Sequence, residues 1–175
     1  MACEFGHAPN AAALLDSGCN MTVLDHLGRT PLHKAAEFNK ASVVQLLIER
    51  GADKETQDKK FFTPLLMACE HGSLESADAL ITLGANLEAM NGRGMTGLHV
   101  AAGNGHTSII QLLLAKAATL ESLDSAGCNA IYHACECGSA WLKLVDIYVL
   151  RVCLFVSLLS SAVLSSAVLI SCPPS

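Results

Sequence analysis

Apolar and polar positions along this chain recur with a period of 33 residues. Leu32, Leu65, Leu98 and Ile131 share one offset, Ala35, Ala68, Ala101 and Ala134 a second, and Leu14, Leu47, Leu80 and Leu113 a third. Polar residues keep the same register: Asp25, Asp58, Asn91 and Asp124 open successive blocks, with Thr30, Thr63, Thr96 and Asn129 five residues later. Each of the latter is a good N-cap, able to accept a bond from an orphan backbone N–H, and Pro31 and Pro64 suit the first helical position. A short helix is therefore predicted to start at each cap. It ends near Asn39, Gly72, Gly105 and Gly138, which tolerate a left-handed backbone, and a second apolar stretch such as Val43–Ile48 or Ile109–Leu114 predicts a second helix. Gly18, Gly51, Gly84 and Ala117 stop that helix, and the polar run to the next Asp or Asn makes a projecting turn.

Helices of two or three turns are not stable alone in water, so stacking must hold them. A period of this size signals a solenoid, in which each unit buries its apolar face only against its neighbours. The alanine series lets helices approach closely, and Leu47, Leu80 and Leu113 fill the space between them. Function is then to be sought on a surface rather than in a deep pocket.

The blocks also carry a motif. Thr30-Pro31-Leu32-His33-Lys34-Ala35 is an intact T-P-L-H-x-A, and Thr63-Pro64-Leu65-Leu66-Met67-Ala68 and Thr96-Gly97-Leu98-His99-Val100-Ala101 follow in phase. With its period, this motif resembles the ankyrin repeat. The resemblance covers a partial repeat at 1–24, full repeats at 25–57, 58–90 and 91–123, and a partial repeat at 124–142. It implies an all-α solenoid of stacked helix-turn-helix units with projecting β-turn or hairpin loops. An apolar tail, residues 143–175, follows.

Both ends depart from the pattern. Met1-Ala2-Cys3-Glu4-Phe5-Gly6 aligns with Met67-Ala68-Cys69-Glu70-His71-Gly72, so the chain begins inside a first helix. That is the expectation for an internal start, a fragment or an alternative product of a longer repeat protein. After Gly138 the register calls for leucine at position 146 and glycine at 150, but Asp146 and Leu150 stand there. From Val152 to Cys172 run 21 residues without a charge, about 31 Å long as a helix and enough for a bilayer core. Three readings of this tail stay open. One is a membrane anchor through residues 152–172, with Lys143 and Arg151 on the cytoplasmic side. Another is translated non-coding or frame-shifted sequence, favoured by the tandem Ser-Ser-Ala-Val-Leu at 160–164 and 165–169. The third is a hydrophobic cap over the last repeat.

Composition narrows the partner. A net charge of -5 argues against nucleic acid or an acidic membrane surface, leaving protein as the expected partner class. Met1 leads straight into repeat sequence, so no signal peptide is expected. Of eight cysteines, Cys3, Cys69 and Cys135 occupy the repeat position of Ala36 and Ala102, where they read as small buried residues. A reducing compartment and a cytoplasmic location follow, with membrane association if the tail is an anchor.

Several motifs invite sharper chemistry. Gly92-Arg93-Gly94-Met95-Thr96-Gly97 matches G-x-G-x-x-G, but that fingerprint needs a preceding buried strand and a long helix for the pyrophosphate. Here Gly94 is the turn glycine of Gly28 and Gly127, and Gly97 replaces Pro31. His133-Ala134-Cys135-Glu136-Cys137 lacks a fourth ligand and C-x₂₋₄-C spacing. The resemblance gives His33 and His99 a structural role beside Thr30 and Thr96, and no nucleophile or carboxylate constellation accompanies them. No enzyme activity, cofactor, metal or small-molecule substrate is expected. Phe61 stands where other blocks have Gly28, Gly94 and Gly127, so its turn is expected to be reshaped, and two readings of Phe61 and Phe62 stay open: at least one exposed as an interface anchor, or packing against a neighbouring turn.

Members of the resembled family generally bind other proteins through turn tips and first helices. Carried over by position, this selects His26, Arg29, Lys59, Lys60, Phe62, Arg93 and Met95 on the turns. Lys34, Phe38, Met67, His71, Val100 and Asn104 are selected along the first helices. The expected function is a non-enzymatic protein-binding module or scaffold, the alternative being the cytoplasmic repeat domain of a channel or transporter subunit.

Overall fold

The computed structural model describes residues 8–137, and among them every regular element is an α-helix. In chain order these are α1 (Ala8–Asp16), α2 (Pro31–Glu37), α3 (Ala41–Glu49), α4 (Pro64–His71), α5 (Leu74–Thr82), α6 (Gly97–Gly103), α7 (Thr107–Ala115) and α8 (Ala130–Cys137). The expected tail readings, and the second half of the last repeat, lie outside the described residues.

Each repeat starts as its cap predicts. Leu66 N–H donates to Thr63 Oγ1 at 3.3 Å and Tyr132 N–H to Asn129 Oδ1 at 3.1 Å. His33 N–H donates to Thr30 Oγ1 at 3.4 Å, and the Thr30 N–H donates back to His33 Nδ1 at 3.1 Å, closing a reciprocal cap. The Thr96 N–H does the same to His99 Nδ1 at 3.2 Å. Where the chain turns back, Asn39, Gly72 and Gly105 take φ of 56°, 73° and 74°. After the second helices Gly51, Gly84 and Ala117 do likewise, at 91°, 80° and 65°.

First helices pack on first helices, α2 on α4, α4 on α6 and α6 on α8, and second helices stack as α1 with α3, α3 with α5 and α5 with α7. Leu32, Leu65, Leu98, Leu47, Leu80 and Leu113 are all buried at the seams, with Ala35, Ala68, Ala101 and Ala134 beside them. Leu14, in the same register, is half exposed, because α1 has a described neighbour on one side only. Cys69 is fully buried as expected, and burial pushes its thiol up to about 12. Cys135 corrects the sequence reading, since it is exposed, on the last described helix.

Polar ties reinforce each seam. Ser73 Oγ donates to the Glu37 carbonyl at 2.9 Å, Ser76 N–H to Asn39 Oδ1 at 3.0 Å, and His106 Nε2 meets the Glu70 carbonyl at 3.0 Å. On the opposite edge Glu55 and Glu88 accept the backbone N–H of Asn86 and Thr119, one repeat on, at 2.8 Å each.

Candidate functional site

The turns project from one edge, and a common device shapes them. One carboxylate or amide oxygen at the head of each block accepts two backbone N–H bonds. Asp25 takes those of Leu27 and Arg29, Asp58 those of Lys60 and Phe62, Asn91 those of Arg93 and Met95, and Asp124 those of Ala126 and Cys128. A return bond from the backbone N–H of each head residue to the carbonyl of Arg29, Phe62, Met95 or Cys128 closes each turn at 2.9 to 3.1 Å. Successive turns are then joined by backbone bonds, Lys59 N–H to Leu27 O, Gly92 N–H to Lys60 O and Ser125 N–H to Arg93 O, at 3.0 to 3.2 Å. Desolvation raises the Asp25 carboxyl, but bonds from the backbone and guanidinium of Arg29 and the backbone of Leu27 outweigh it and hold it at about 2.

The histidines of the T-P-L-H motif fasten first helices to these turns. With Nδ1 accepting from Thr30, the neutral His33 ring carries its proton on Nε2 and donates it to the Phe62 carbonyl at 2.9 Å. His99 reaches the Cys128 carbonyl in the same way at 3.2 Å. Burial lowers the pKa of both, against the opposing pull of those carbonyls. Leu66 replaces histidine in the middle repeat, so that junction lacks the bridge. These rings are structural struts, and no group of three His, Cys, Asp or Glu among the described residues is arranged to hold a metal.

The G-x-G-x-x-G match falls where its register predicts. Gly94 has φ of 71° in the turn, and Gly97 opens the seven-residue α6. A Cβ at Gly97 would stand 3.1 Å from Cys69 Sγ.

Between the turns and the first helices lie two adjoining open grooves, of about 330 and 600 Å3. The smaller is lined by Arg29, Lys59, Lys60, Phe62, Met67 and His71 among others, the larger by Lys60, Phe61, Phe62, Arg93, Met95, Val100 and Asn104, with Glu70, His133 and Glu136 across from them. All the residues selected by position are thus brought together except His26, Lys34 and Phe38. His26 is exposed on its turn, where its carbonyl accepts Lys59 Nζ at 2.7 Å. Lys34 is engaged by Glu37 at 2.9 Å and lies 5.4 Å above the Phe38 ring. Arg29 is likewise held by Asp25 at 2.8 Å and Glu37 at 3.1 Å.

Three of the selected residues are buried. Met67 and Val100 are 4% exposed and Phe62 9%, so they form groove floor rather than rim. Met67 lies on α4, packed between α2 and α6, and Val100 on α6, packed between α4 and α8, surroundings that a single block does not reveal. The exposed aromatic is Phe61, at 55%. Nor is its turn reshaped: Phe61 takes the glycine conformation, with φ of 63°, and the turn keeps the bonds of its neighbours. The ring rests over Gly92 of the next turn, where a Cβ would meet Phe61 Cδ2 at 3.2 Å. Gly92 stands where His26, Lys59 and Ser125 carry side chains, a signal present in the sequence from the outset.

The family model described as ankyrin repeats (3 copies) matches the chain over residues 1–91 and again over 65–147. This chain belongs to the ankyrin-repeat family. No curated protein is matched by it. Ankyrin repeats are generally protein–protein interaction modules and typically non-enzymatic, and the turns and helices above are those of such repeats. No helix among the described residues is long and apolar enough to cross a membrane.

Proposed function

We propose that this ankyrin-repeat chain binds a partner protein through the face made by its turn tips and the helices α2, α4 and α6. The observation that carries the reading is the pair of adjoining grooves along that face, floored by Phe62, Met67 and Val100 and rimmed by charged side chains. Buried apolar floor with a polar rim is the anatomy of a protein interface. The histidines that would otherwise invite a catalytic reading are consumed by caps and turn carbonyls. A reducing, cytoplasmic setting fits Cys69, held as an unreactive buried thiol.

The test is site-specific photo-crosslinking in cells with the full chain. A photoreactive residue at Met95 or Asn104, on the groove, should capture the same discrete partner band, while one at Gln111, exposed on α7, should not. Equal capture from all three positions, or capture from Gln111 alone, overturns the reading.

A further inference from the structure

Phe61 combines two features that ordinarily exclude one another. It is a bulky L-residue held at φ of 63°, where the other turns use Gly28, Gly94 and Gly127 at 71° to 79°, and its ring is more than half exposed. Such a conformation is unfavourable for an aromatic residue and persists where something over-determines it. Within the described residues the ring gains a seat on Gly92, but most of its surface faces solvent.

The charges around it are uneven. Lys60 and Arg93, on the two turns that meet at Phe61, line the larger groove, and neither side chain enters an ion pair or hydrogen bond among the described residues. The head residue of the Arg93 turn is Asn91 where the others have aspartate, so this turn keeps the doubly accepting oxygen without its negative charge. The Lys60 turn carries two lysines against one aspartate. A chain of net charge -5 therefore presents a local cationic edge around one exposed aromatic. The acids of the groove, Glu70 and Glu136, lie on the helix side.

From this we infer that Phe61, Lys60 and Arg93 form the anchor for a short acidic segment of the partner protein, an Asp or Glu beside an apolar side chain. The acid sits between the two cations on the turn side, the apolar group lies on the Phe61 ring, and Glu70 and Glu136 keep the acid off the helix side. Exposed aromatic and arginine side chains are the residue types most often energetically dominant at interfaces, which agrees with this division of labour. The inference rests on the groove reading above and narrows it to one partner chemistry.

A random 12-residue peptide library displayed on phage, panned on the full chain, tests it, with synthetic copies of the enriched peptides measured by fluorescence anisotropy. Enriched peptides should place Asp or Glu next to an apolar residue, and their affinity should fall with added salt. Phe61→Gly and the double variant Lys60→Ser/Arg93→Ser should each weaken binding at least tenfold, while the thermal midpoint of Phe61→Gly is unchanged or raised. That last readout separates a lost anchor from a lost fold. Peptides without acidic enrichment, or indifferent to Phe61→Gly, overturn the inference and leave the groove reading standing. Failure to enrich any peptide also overturns it, and the crosslinking from Met95 and Asn104 then decides the groove reading separately.

Discussion

At the scale of single residues, Phe61 works against stability, and His33, His99 and Asp25 make it depend on pH. Left-handed backbone costs an L-residue roughly 1–2 kcal/mol, and glycine is free of that cost. Phe61→Gly forfeits the contact with Gly92 but relieves φ of 63°. The expected outcome is a urea midpoint equal to or above that of the parent chain, by up to about 1 kcal/mol. A clear loss would show that ring packing, not backbone, governs the position. His33 and His99 set the second prediction. Burial lowers their pKa in the folded chain below the unfolded value of about 6.5, so between the two the unfolded chain binds more protons. Their contribution is complete above pH 6.5 and is lost as pH falls through that value toward the folded pKa. Protonation at Nδ1 would also break the bonds from Thr30 and Thr96. Denaturation midpoints should hold from pH 7.5 to about 6.5 and fall from there to pH 5, and His33→Leu/His99→Leu, which copies Leu66, should flatten that fall. Asp25, held at about 2, acts in a separate window below the ordinary carboxylate range, losing its contribution as pH falls from there through 2.

At the scale of helices, the seams show compensation between neighbouring repeats. Ala36 with Pro64, Cys69 with Gly97, and Ala102 with Ala130 are the same pair one period apart. The larger sulfur of Cys69 coincides with the only glycine in the partner position, and a Cβ there would stand 3.1 Å from Sγ. Gly97→Ala alone is expected to lose through crowding what it gains in helix propensity, whereas Cys69→Ala/Gly97→Ala should gain, with a coupling of about 1 kcal/mol in a double-mutant cycle. Additive effects would mean that the seam accommodates the methyl group freely. Ser76 is a second mismatch. It stands where Val43 and Ile109 are buried, and its hydroxyl is fully buried with no partner among the described residues. Ser76→Val should raise stability by about 1 kcal/mol in urea unfolding. Features of this kind mark the border of what the sequence discloses. Caps, helix ends and the buried leucine series are local or strictly periodic, so one block suffices to read them. The exposure of Phe61 rather than Phe62, and the burial of Met67 and Val100 on helices packed between two others, are set by how successive repeats pack, which one block does not contain. Cys135 shows the same limit, since its register alone implies burial and the side chain is exposed.

At the scale of the whole stack, each repeat touches only its neighbours, so stability is a sum of repeat and seam contributions and need not be uniform along the chain. Among the described helices, α4 and α5 have a packed repeat on both sides, whereas α1 and α8 have one on a single side. The seams also differ in kind. Those at His33 and His99 are bridged by a ring nitrogen, and the one at Leu66 is not, relying instead on apolar contact and on ties such as His106 to the Glu70 carbonyl. If nearest-neighbour stacking governs, hydrogen exchange of the full chain should leave the amides of α4 and α5 most protected and those of α1 and α8 exchanging first. Leu80→Ala, which opens a cavity in the central second helix, should cost about 2–5 kcal/mol and accelerate exchange in α3, α5 and α7 together, while Leu14→Ala, half exposed already, should affect α1 alone. Uniform protection across all the helices would show that they unfold as one cooperative block. A partner seated across the two grooves would then stabilise every repeat equally, rather than the central turns it touches.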